Sequence, residues 1–208
     1  MESESTSTAV ALELTAFNVA DIERLAGVSR DAQRDRRRRK TAVAMPRGAG
    51  HARHAKHVGD LVQFALIAEI AGRVGGLGPA ARVAAMLMPA VLWRIMSDPR
   101  AWEESGVVAR RPEERVDLVL AALGQKARPP EHLACGVFCG GHTLLLPDLD
   151  AASEFARRIG APVKVCIDLD LFAANFLKRA KGQPFARLSL ASPEEAAFLK
   201  PRKGDLLQ

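Results

Sequence analysis

Residues 19–40 have the sequence VADIERLAGVSRDAQRDRRRRK, and this stretch carries the clearest structural pattern in the chain. Apolar residues recur in its first half at three- and four-residue spacing, which is typical of a helix with one buried face: Val19, Ile22, Leu25 and Ala26. Gly27 suits the left-handed conformation in which many helices end. Ser29 is a candidate N-cap for a second helix, and Asp31 in the first turn of that helix complements its dipole. The stretch therefore predicts two helices joined by a tight turn, with Asp21, Glu23 and Arg24 pointing outward.

The second predicted helix and the residues after it are strongly basic. Residues 30–56 contain ten lysines and arginines against two aspartates, a net charge of +8, whereas the whole chain carries +6. A local basic surface beside two such helices is typical of nucleic-acid binding, because neutralising each DNA phosphate releases counterions. The alternative interpretation is a solvated basic helix with no ligand.

Residues 19–40, and more loosely residues 17–78, resemble the N-terminal domain of MerR-type regulators, in a divergent, phage-regulator-like branch of that family. The resemblance rests on the turn Gly27-Val28-Ser29, on the run Gln33-Arg34-Asp35 followed by arginines, and on a helix that begins near Val58. It implies a winged helix-turn-helix whose second helix enters the major groove of DNA. The wing would contact the flanking backbone.

Four positions depart from the family's pattern. Arg36 stands where an aromatic residue is usual, and Lys40 stands where glycine is common. Glu23 and Gln33 occupy positions that usually hold small or aliphatic core residues. A hydrogen bond between Glu23 and Gln33 would satisfy both side chains if they are buried together.

Polar and basic side chains of the second helix and the wing are the candidate DNA contacts. Positions 30, 34, 37 and 38 fall near one helix face, and arginine to guanine is the commonest specific base contact. The expected set is Ser29, Arg30, Gln33, Arg34, Arg36, Arg37, Arg38, Arg39, Lys40, Arg47, His51, Arg53, His54 and Lys56. The spacing of His51, His54 and His57 also allows a metal site, but no cysteine or carboxylate cluster lies nearby to complete one. We expect neither a metal nor a cofactor.

Composition restricts the class of protein. The chain has 208 residues, of which 48% are hydrophobic, enough for a real core. Aromatic residues make up 5% and tyrosine is absent, so the stacking surfaces of single-strand binders are poorly supplied. The three cysteines and the lack of a secretory pattern at the start favour a reduced, cytoplasmic protein, and DNA binding would associate it with the nucleoid. No membrane span is expected.

The fold expected from these patterns is α+β and mainly α, in four regions. Residues 1–14 are predicted to be a flexible tail, and residues 15–78 the winged helix-turn-helix domain. Residues 79–131 are predicted to be a helical linker region, and residues 132–208 a small α/β dimerisation or ligand domain. Helices are expected at 58–74, 80–96 and 113–123, with a kink or boundary at Pro89, a short strand at Val107 and Val108, and a hinge at 124–131.

The last region alternates between strand and helix patterns. A strand or tight strand pair is predicted at 135–146, with its turn at Gly140 and Gly141, then a helix at 149–159, a strand at 163–167 and a helix at 169–179. So few strands do not make a stable sheet, so earlier valines or a second subunit must complete it. Together with the two-fold symmetry common among helix-turn-helix proteins, this predicts a homodimer.

Residues with metal or catalytic chemistry are better explained by structure. Cys135, Cys139 and His142, with Cys166, lack a standard zinc spacing, and the cysteines are expected in the core. Asp148, Asp150, Asp168 and Asp170 precede predicted helices and are expected as caps or first-turn residues rather than a magnesium site. No catalytic triad or phosphate loop is recognisable, and the GGLG segment is expected to connect helices. We therefore expect no enzyme activity.

The expected function is that of a sequence-specific, dimeric DNA-binding transcription regulator that reads paired half-sites. A repressor is favoured, because repression needs only occupancy of a promoter. Two alternatives stay open: an effector-sensing regulator with a small-molecule site in the C-terminal half, and a nonspecific nucleoid or phage-packaging accessory protein. Double-stranded DNA and a second copy of the chain are the expected partners, without a membrane.

Overall fold

The structure is a computed structural model that describes residues 10–38, 56–104, 112–124 and 132–190. Within these ranges helices dominate and short strands form two sheets, so the fold is α+β and mainly helical, as predicted. The helices are α1 (Val19–Ala26), α2 (Arg30–Arg38), α3 (Val58–Ile70), α4 (Leu77–Ser97), α5 (Pro112–Ala122), α6 (Leu149–Ile159) and α7 (Leu169–Ala180). The strands are β1 (Val10–Leu14), β2 (Trp102–Glu104), β3 (Cys135–Cys139), β4 (His142–Leu146), β5 (Val163–Asp168) and β6 (Ala186–Leu190).

Helix α4 lies at the centre of the molecule, packed against α3, α5 and α7. It runs unbroken past Pro89, so of the two predicted effects of this proline, a kink or a helix boundary, the boundary is excluded. An internal proline typically costs a helix about 3 kcal/mol, and α4 retains its helical structure here with Met88 and Ala90, on either side of the proline, buried in the core. By length and composition α4 could cross a membrane, but most of it is covered by other elements, as in the core helix of a soluble protein.

The first sheet joins the two ends of the described chain. Its strand order is β1-β6-β2, with β6 antiparallel to β1 and parallel to β2. Strand β1 corrects the prediction of a flexible tail over residues 1–14, because residues 10–14 pair along their whole length with β6. Leu14 is buried opposite Ala186. The partner strand is distant in sequence, so local patterning did not indicate it.

The second sheet has the order β4-β3-β5 and is antiparallel throughout. The predicted turn at Gly140 and Gly141 is confirmed, and both glycines have positive φ, +54° and +84°. The helix predicted at 149–159 is also confirmed. Because β3, β4 and β5 form a three-stranded sheet within one chain, the sheet does not need a second subunit, and that argument for a dimer no longer holds.

A continuous apolar core connects the regions that were predicted as separate domains. It contains residues from β1, α1, α3, α4, α5, α7 and β6, including Leu14, Leu25, Leu61, Leu92, Val119, Phe176 and Leu188. The face of α5 predicted to be apolar is buried at Val116, Val119 and Leu120, and Leu123, directly after the helix, is buried as well. The strand predicted at Val107 and Val108 and residues 125–131 of the predicted hinge lie outside the described residues.

Candidate nucleic-acid interface

Helices α1 and α2, together with the cap residue Asn18, form what we call the α1–α2 unit (residues 18–38). Asn18 Oδ1 accepts hydrogen bonds from the backbone N–H groups of Ala20 at 2.8 Å and Asp21 at 3.0 Å, and Asp21 Oδ2 accepts one from Asn18 N–H at 3.1 Å. This is a capping box, and the Asn-x-x-Asp sequence that signals it was missed in the sequence analysis. Gly27 ends α1 at φ +66°, as predicted.

The start of α2 also follows local sequence rules. Ser29 Oγ accepts a hydrogen bond from Ala32 N–H at 3.3 Å, and Asp31 lies in the first turn, so both predicted roles are confirmed. Ser29 itself is exposed. It therefore remains accessible to a ligand at the N-terminus of α2.

Gln33 has a different position from the one predicted. Its side chain is 3% exposed, and its Nε2 donates hydrogen bonds to the carbonyl oxygens of Val28 at 2.8 Å and Val19 at 3.2 Å. It therefore ties α2 to both ends of the preceding helix and turn, and the expectation that it contacts DNA is corrected. The proposed bond to Glu23 is also wrong, because Glu23 is half-exposed and its Oε2 lies 3.6 Å from Arg30 Nε.

The C-terminal end of α7 holds the α1–α2 unit against the body of the molecule. Arg24 is exposed, as expected, and it also donates a hydrogen bond to the carbonyl oxygen of Arg179 at 2.8 Å and another to the side chain of Gln183. In return, Arg179 donates to the carbonyl oxygen of Leu25 at 3.4 Å. These contacts and the burial of Ile22, Leu25 and Ala26 explain why α1 has a fixed orientation.

The residue before the cap of α1 and the start of the segment leading into α3 meet beside the core. Phe17 N–H donates a hydrogen bond to the carbonyl oxygen of Lys56 at 2.7 Å, and the Phe17 ring packs against Phe185 with centroids 5.8 Å apart. Lys56, predicted as a DNA contact, lies 3.6 Å from Asp60 and over the ring of Phe64. Its side chain is only 23% exposed, so its main contacts are within the protein.

Exposed arginines occupy the outer side of α2. The side chains of Arg30 and Arg34 are 68% and 72% exposed. Arg30 lies 3.6 Å from Glu23 and Arg34 lies 3.5 Å from Asp31. Such exposed pairs contribute about 0–1 kcal/mol, so both guanidinium groups can exchange a carboxylate for a phosphate or a base edge at small cost.

The helical backbone of α2 continues through positions 36, 37 and 38. At helical spacing, positions 30, 34, 37 and 38 share one side of the helix. The other expected DNA contacts, Arg39, Lys40, Arg47, His51, Arg53 and His54, lie outside the described residues.

The histidine and cysteine groups do not form metal sites in the described part of the chain, where no cluster of three or more His, Cys, Asp or Glu residues could hold an ion. The ring Nδ1 of His57 lies 3.1 Å from the carbonyl oxygen of Thr15. Cys135 and Cys139 are buried, as predicted, and Cys166 is half-buried. His142 is exposed at the hairpin, opposite Cys139.

The C-terminal half contains a cavity of about 440 Å³ at the start of α6 and α7. Its lining includes Asp148 and Asp168, whose Oδ1 atoms accept hydrogen bonds from Ala151 N–H and Leu171 N–H, both at 2.8 Å. These contacts confirm the two aspartates as helix caps. Asp170 has a further role, because it lies 2.6 Å from the buried Arg94.

Of the sites considered, the outer side of α2 has the chemistry for recognition of a polyanion. It combines exposed guanidinium groups with a helix whose inner side is fixed by Gln33 and whose neighbour α1 is held by Arg24 and Arg179. A scan against protein-family models and searches of curated proteins and of solved structures find no match to this chain.

Proposed function

We propose that the chain is a sequence-specific, dimeric DNA-binding transcription regulator that acts as a repressor. The observation that carries the proposal is the concentration of charge: residues 30–56 carry +8 in a chain of net charge +6, so the rest of the chain sums to −2. This segment begins on the exposed side of α2. A duplex with regularly spaced phosphates is the polyanion that best matches such a segment.

The residues of α2 have two different roles, and this difference supports recognition of a specific DNA sequence rather than electrostatic attraction alone. Gln33 points inward and fixes the helix, whereas Arg30 and Arg34 point outward. A helix held in one orientation can direct a guanidinium group at a base edge, and a bidentate contact to guanine discriminates by about 1–3 kcal/mol. A freely moving basic segment would contact phosphates on any sequence alike.

The dimer and the repressor role are inferred from how such proteins work. Two-fold dimers place two recognition helices one turn of DNA apart and so read inverted repeats. Occupying a promoter is sufficient for repression. The dimer proposal therefore rests on the expected symmetry of the DNA site and not on an incomplete sheet.

The test is selection of genomic fragments by the purified full-length protein at physiological salt, followed by titration of the enriched fragments. The variant is Arg34→Ala, and the matched control is Arg73→Ala, which removes a similarly exposed arginine lying 3.9 Å from Glu69, four residues earlier. Both changes remove one positive charge from an exposed local ion pair. They differ in whether the arginine lies on α2.

We expect enrichment of a few promoter fragments that share an inverted repeat, bound by two copies of the chain. Arg34→Ala should weaken binding to these fragments by about 1–3 kcal/mol while random DNA is affected less, and Arg73→Ala should leave both unchanged. Uniform recovery of all fragments would refute sequence-specific regulation and select the nonspecific accessory protein. Equal losses on operator and random DNA would refute the base-reading role of Arg34.

A further inference from the structure

Two of the three cysteines meet on the face of the second sheet that is covered by α6. Cys135 on β3 and Cys166 on the adjacent strand β5 have their Sγ atoms 2.8 Å apart. In the strand register Cys135 is opposite Asp168 and Val137 is opposite Cys166, so the two thiols are diagonal neighbours on one face. The sheet brings them together, because they are 31 residues apart in the sequence.

We propose that Cys135 and Cys166 form a reversible intramolecular disulfide, with a low-molecular-weight disulfide as the oxidant. The sulfur–sulfur bond in a disulfide is about 2.05 Å long, so the two atoms need to approach by less than one ångström. The third cysteine has another partner, since Cys139 Sγ donates a hydrogen bond to the carbonyl oxygen of Ala161 at 3.1 Å. This proposal is independent of DNA binding.

An oxidant can reach the pair from two sides. Cys166 is half-buried, whereas Cys135 is 3% exposed and lines the cavity of about 440 Å³ beside Asp148 and Asp168. The carboxylates on this cavity favour a cationic reagent over an anionic one. Cystamine, a small disulfide with two ammonium groups, is therefore the suitable probe.

The more accessible thiol starts the exchange. The thiolate of Cys166 attacks one sulfur of the small disulfide, the disulfide bond of the reagent breaks, and one small thiolate leaves. Cys135 then loses its proton, its sulfur attacks Cys166 Sγ in the mixed disulfide, and the second small thiolate leaves. Two protein thiols are oxidised and one small disulfide is reduced to two thiols, which take up the two protons.

The second step is expected to be slow. Burial, followed by the hydrogen bond with Cys166 and the charge of Asp168, raises the pKa of Cys135 to about 12. Few Cys135 thiolates exist near neutral pH, so the mixed disulfide on Cys166 should appear first. Closure should then accelerate as the pH rises.

The bond would cross-link β3 to β5 and enclose β4 and α6 in a loop. A loop of this length restricts the unfolded chain considerably. For a chain of this size, we expect the melting temperature of the oxidised protein to rise by roughly 5–10 °C.

The experiment equilibrates the folded full-length protein with cystamine and cysteamine at several ratios, blocks free thiols, and maps the digested peptides by mass spectrometry without reduction. The matched variants are Cys139→Ser, which keeps the pair and a hydroxyl donor near Ala161, and Cys166→Ser, which removes the more accessible partner. We expect a peptide that links Cys135 to Cys166 and has lost the mass of two hydrogen atoms, in the wild type and in Cys139→Ser. The same link should be absent from Cys166→Ser.

The proposal is overturned if Cys166 accumulates only the mixed disulfide while Cys135 stays alkylatable after unfolding. It is also overturned if the link involves Cys139 or forms only in the denatured chain. If Cys166→Ser fails to fold, the peptide maps of the wild type and of Cys139→Ser still test the proposal. Cys139 is the other cysteine that could link to Cys135, so these two maps show which partner is used.

Discussion

Gln33 and Arg34 are adjacent in the sequence and have opposite roles in the structure. Gln33 is buried and bonded to two backbone carbonyl oxygens of the preceding helix and turn. The side chain of Arg34 is 72% exposed and lies 3.5 Å from Asp31 of the same helix. A side chain's polarity alone does not distinguish these roles, because both residues are hydrogen-bond donors.

The variant Gln33→Leu tests the structural role of the buried amide. The change keeps the side chain similar in volume but leaves the carbonyl oxygens of Val19 and Val28 without the amide donor, which costs about 1–3 kcal/mol in a buried site. We expect the free energy of unfolding in urea to fall by that amount, with Arg34→Ala as a control that changes stability by less than about 0.5 kcal/mol. Equal stability of the two variants would show that the buried amide has no structural role.

The second prediction uses the pKa of Cys135, which burial raises from 9.0 to about 12. In the unfolded chain the thiol loses its proton near pH 9, whereas the folded protein retains it. The associated stability is therefore fully present below pH 9 and is lost as the pH rises toward 12. Urea unfolding with reductant at about pH 8 and about pH 10.5 should show a larger loss of stability for the wild type than for Cys135→Ala. Parallel pH dependence of the two proteins would contradict the shifted pKa.

Gly136 in the second sheet lies close to side chains of helices α4 and α7. A Cβ atom on Gly136 of β3 would lie 2.8 Å and 2.9 Å from the two methyl carbons of Leu87 on α4, and 3.3 Å from a methyl carbon of Leu169 on α7. Any side chain there must push Leu87 away. The sheet can approach the central helix this closely because position 136 has no side chain.

We therefore expect Gly136→Ala to lower the free energy of unfolding by about 1–3 kcal/mol, the usual cost of overpacking. Gly72→Ala is the control, since a Cβ atom at Gly72 meets nothing within 4 Å and its φ is not positive. Thermal and urea unfolding of both variants measure the difference. Adding Leu87→Ala to Gly136→Ala should cost less than the sum of the single changes, because Leu87 is the residue in the way. Strict additivity would reject this contact as the cause.

Arg94 links three parts of the chain. Its side chain is 6% exposed; it donates to Asp170 on α7 at 2.6 Å, to the carbonyl oxygen of Leu133 before β3 at 2.9 Å, and to that of Ala90 within α4 at 3.1 Å. The N-terminus of α7 and the entry to the second sheet are therefore both attached to the central helix. Arg24 and Arg179 attach the other end of α7 to α1.

A comparison of Asp170→Ala with Asp150→Ala measures what the ion pair with Arg94 contributes to stability. Each aspartate is the second residue of its helix, α7 or α6, so both changes remove the same favourable interaction with a helix dipole, about 0.3–1 kcal/mol. Asp170→Ala also removes the counter-charge of the buried Arg94 guanidinium group. We expect the free energy of unfolding to fall by about 2–3 kcal/mol in total, a figure that already allows for the exposure of Asp170 to solvent. Urea unfolding measures the difference, and equal losses would mean that the ion pair does not stabilise the fold.

Much of the helical structure of this protein follows from local sequence. Helix starts, ends and buried faces depend on neighbouring residues, and for that reason Gly27, Ser29, Asp148 and the bounds of α6 were all predicted correctly. The hairpin at Gly140 and Gly141 was also predictable, because a tight turn is a local structure. The concentration of basic charge in residues 30–56 is likewise a property of the sequence alone.

Tertiary contacts, by contrast, determine which polar residues are bonded to distant parts of the backbone and how distant segments pair. Strand β1 is stabilised by β6, at the other end of the described residues, so five residues of modest pattern gave no local signal of their pairing. Gln33 was expected at the surface because it is polar, yet it is buried and bonded to two backbone carbonyl oxygens that the fold brings within reach. Arg24 is exposed, as expected, but it is also bonded to the carbonyl oxygen of Arg179. The meeting of Cys135 and Cys166 depends in the same way on strand register, which is set by the packing of the entire sheet and not by either residue.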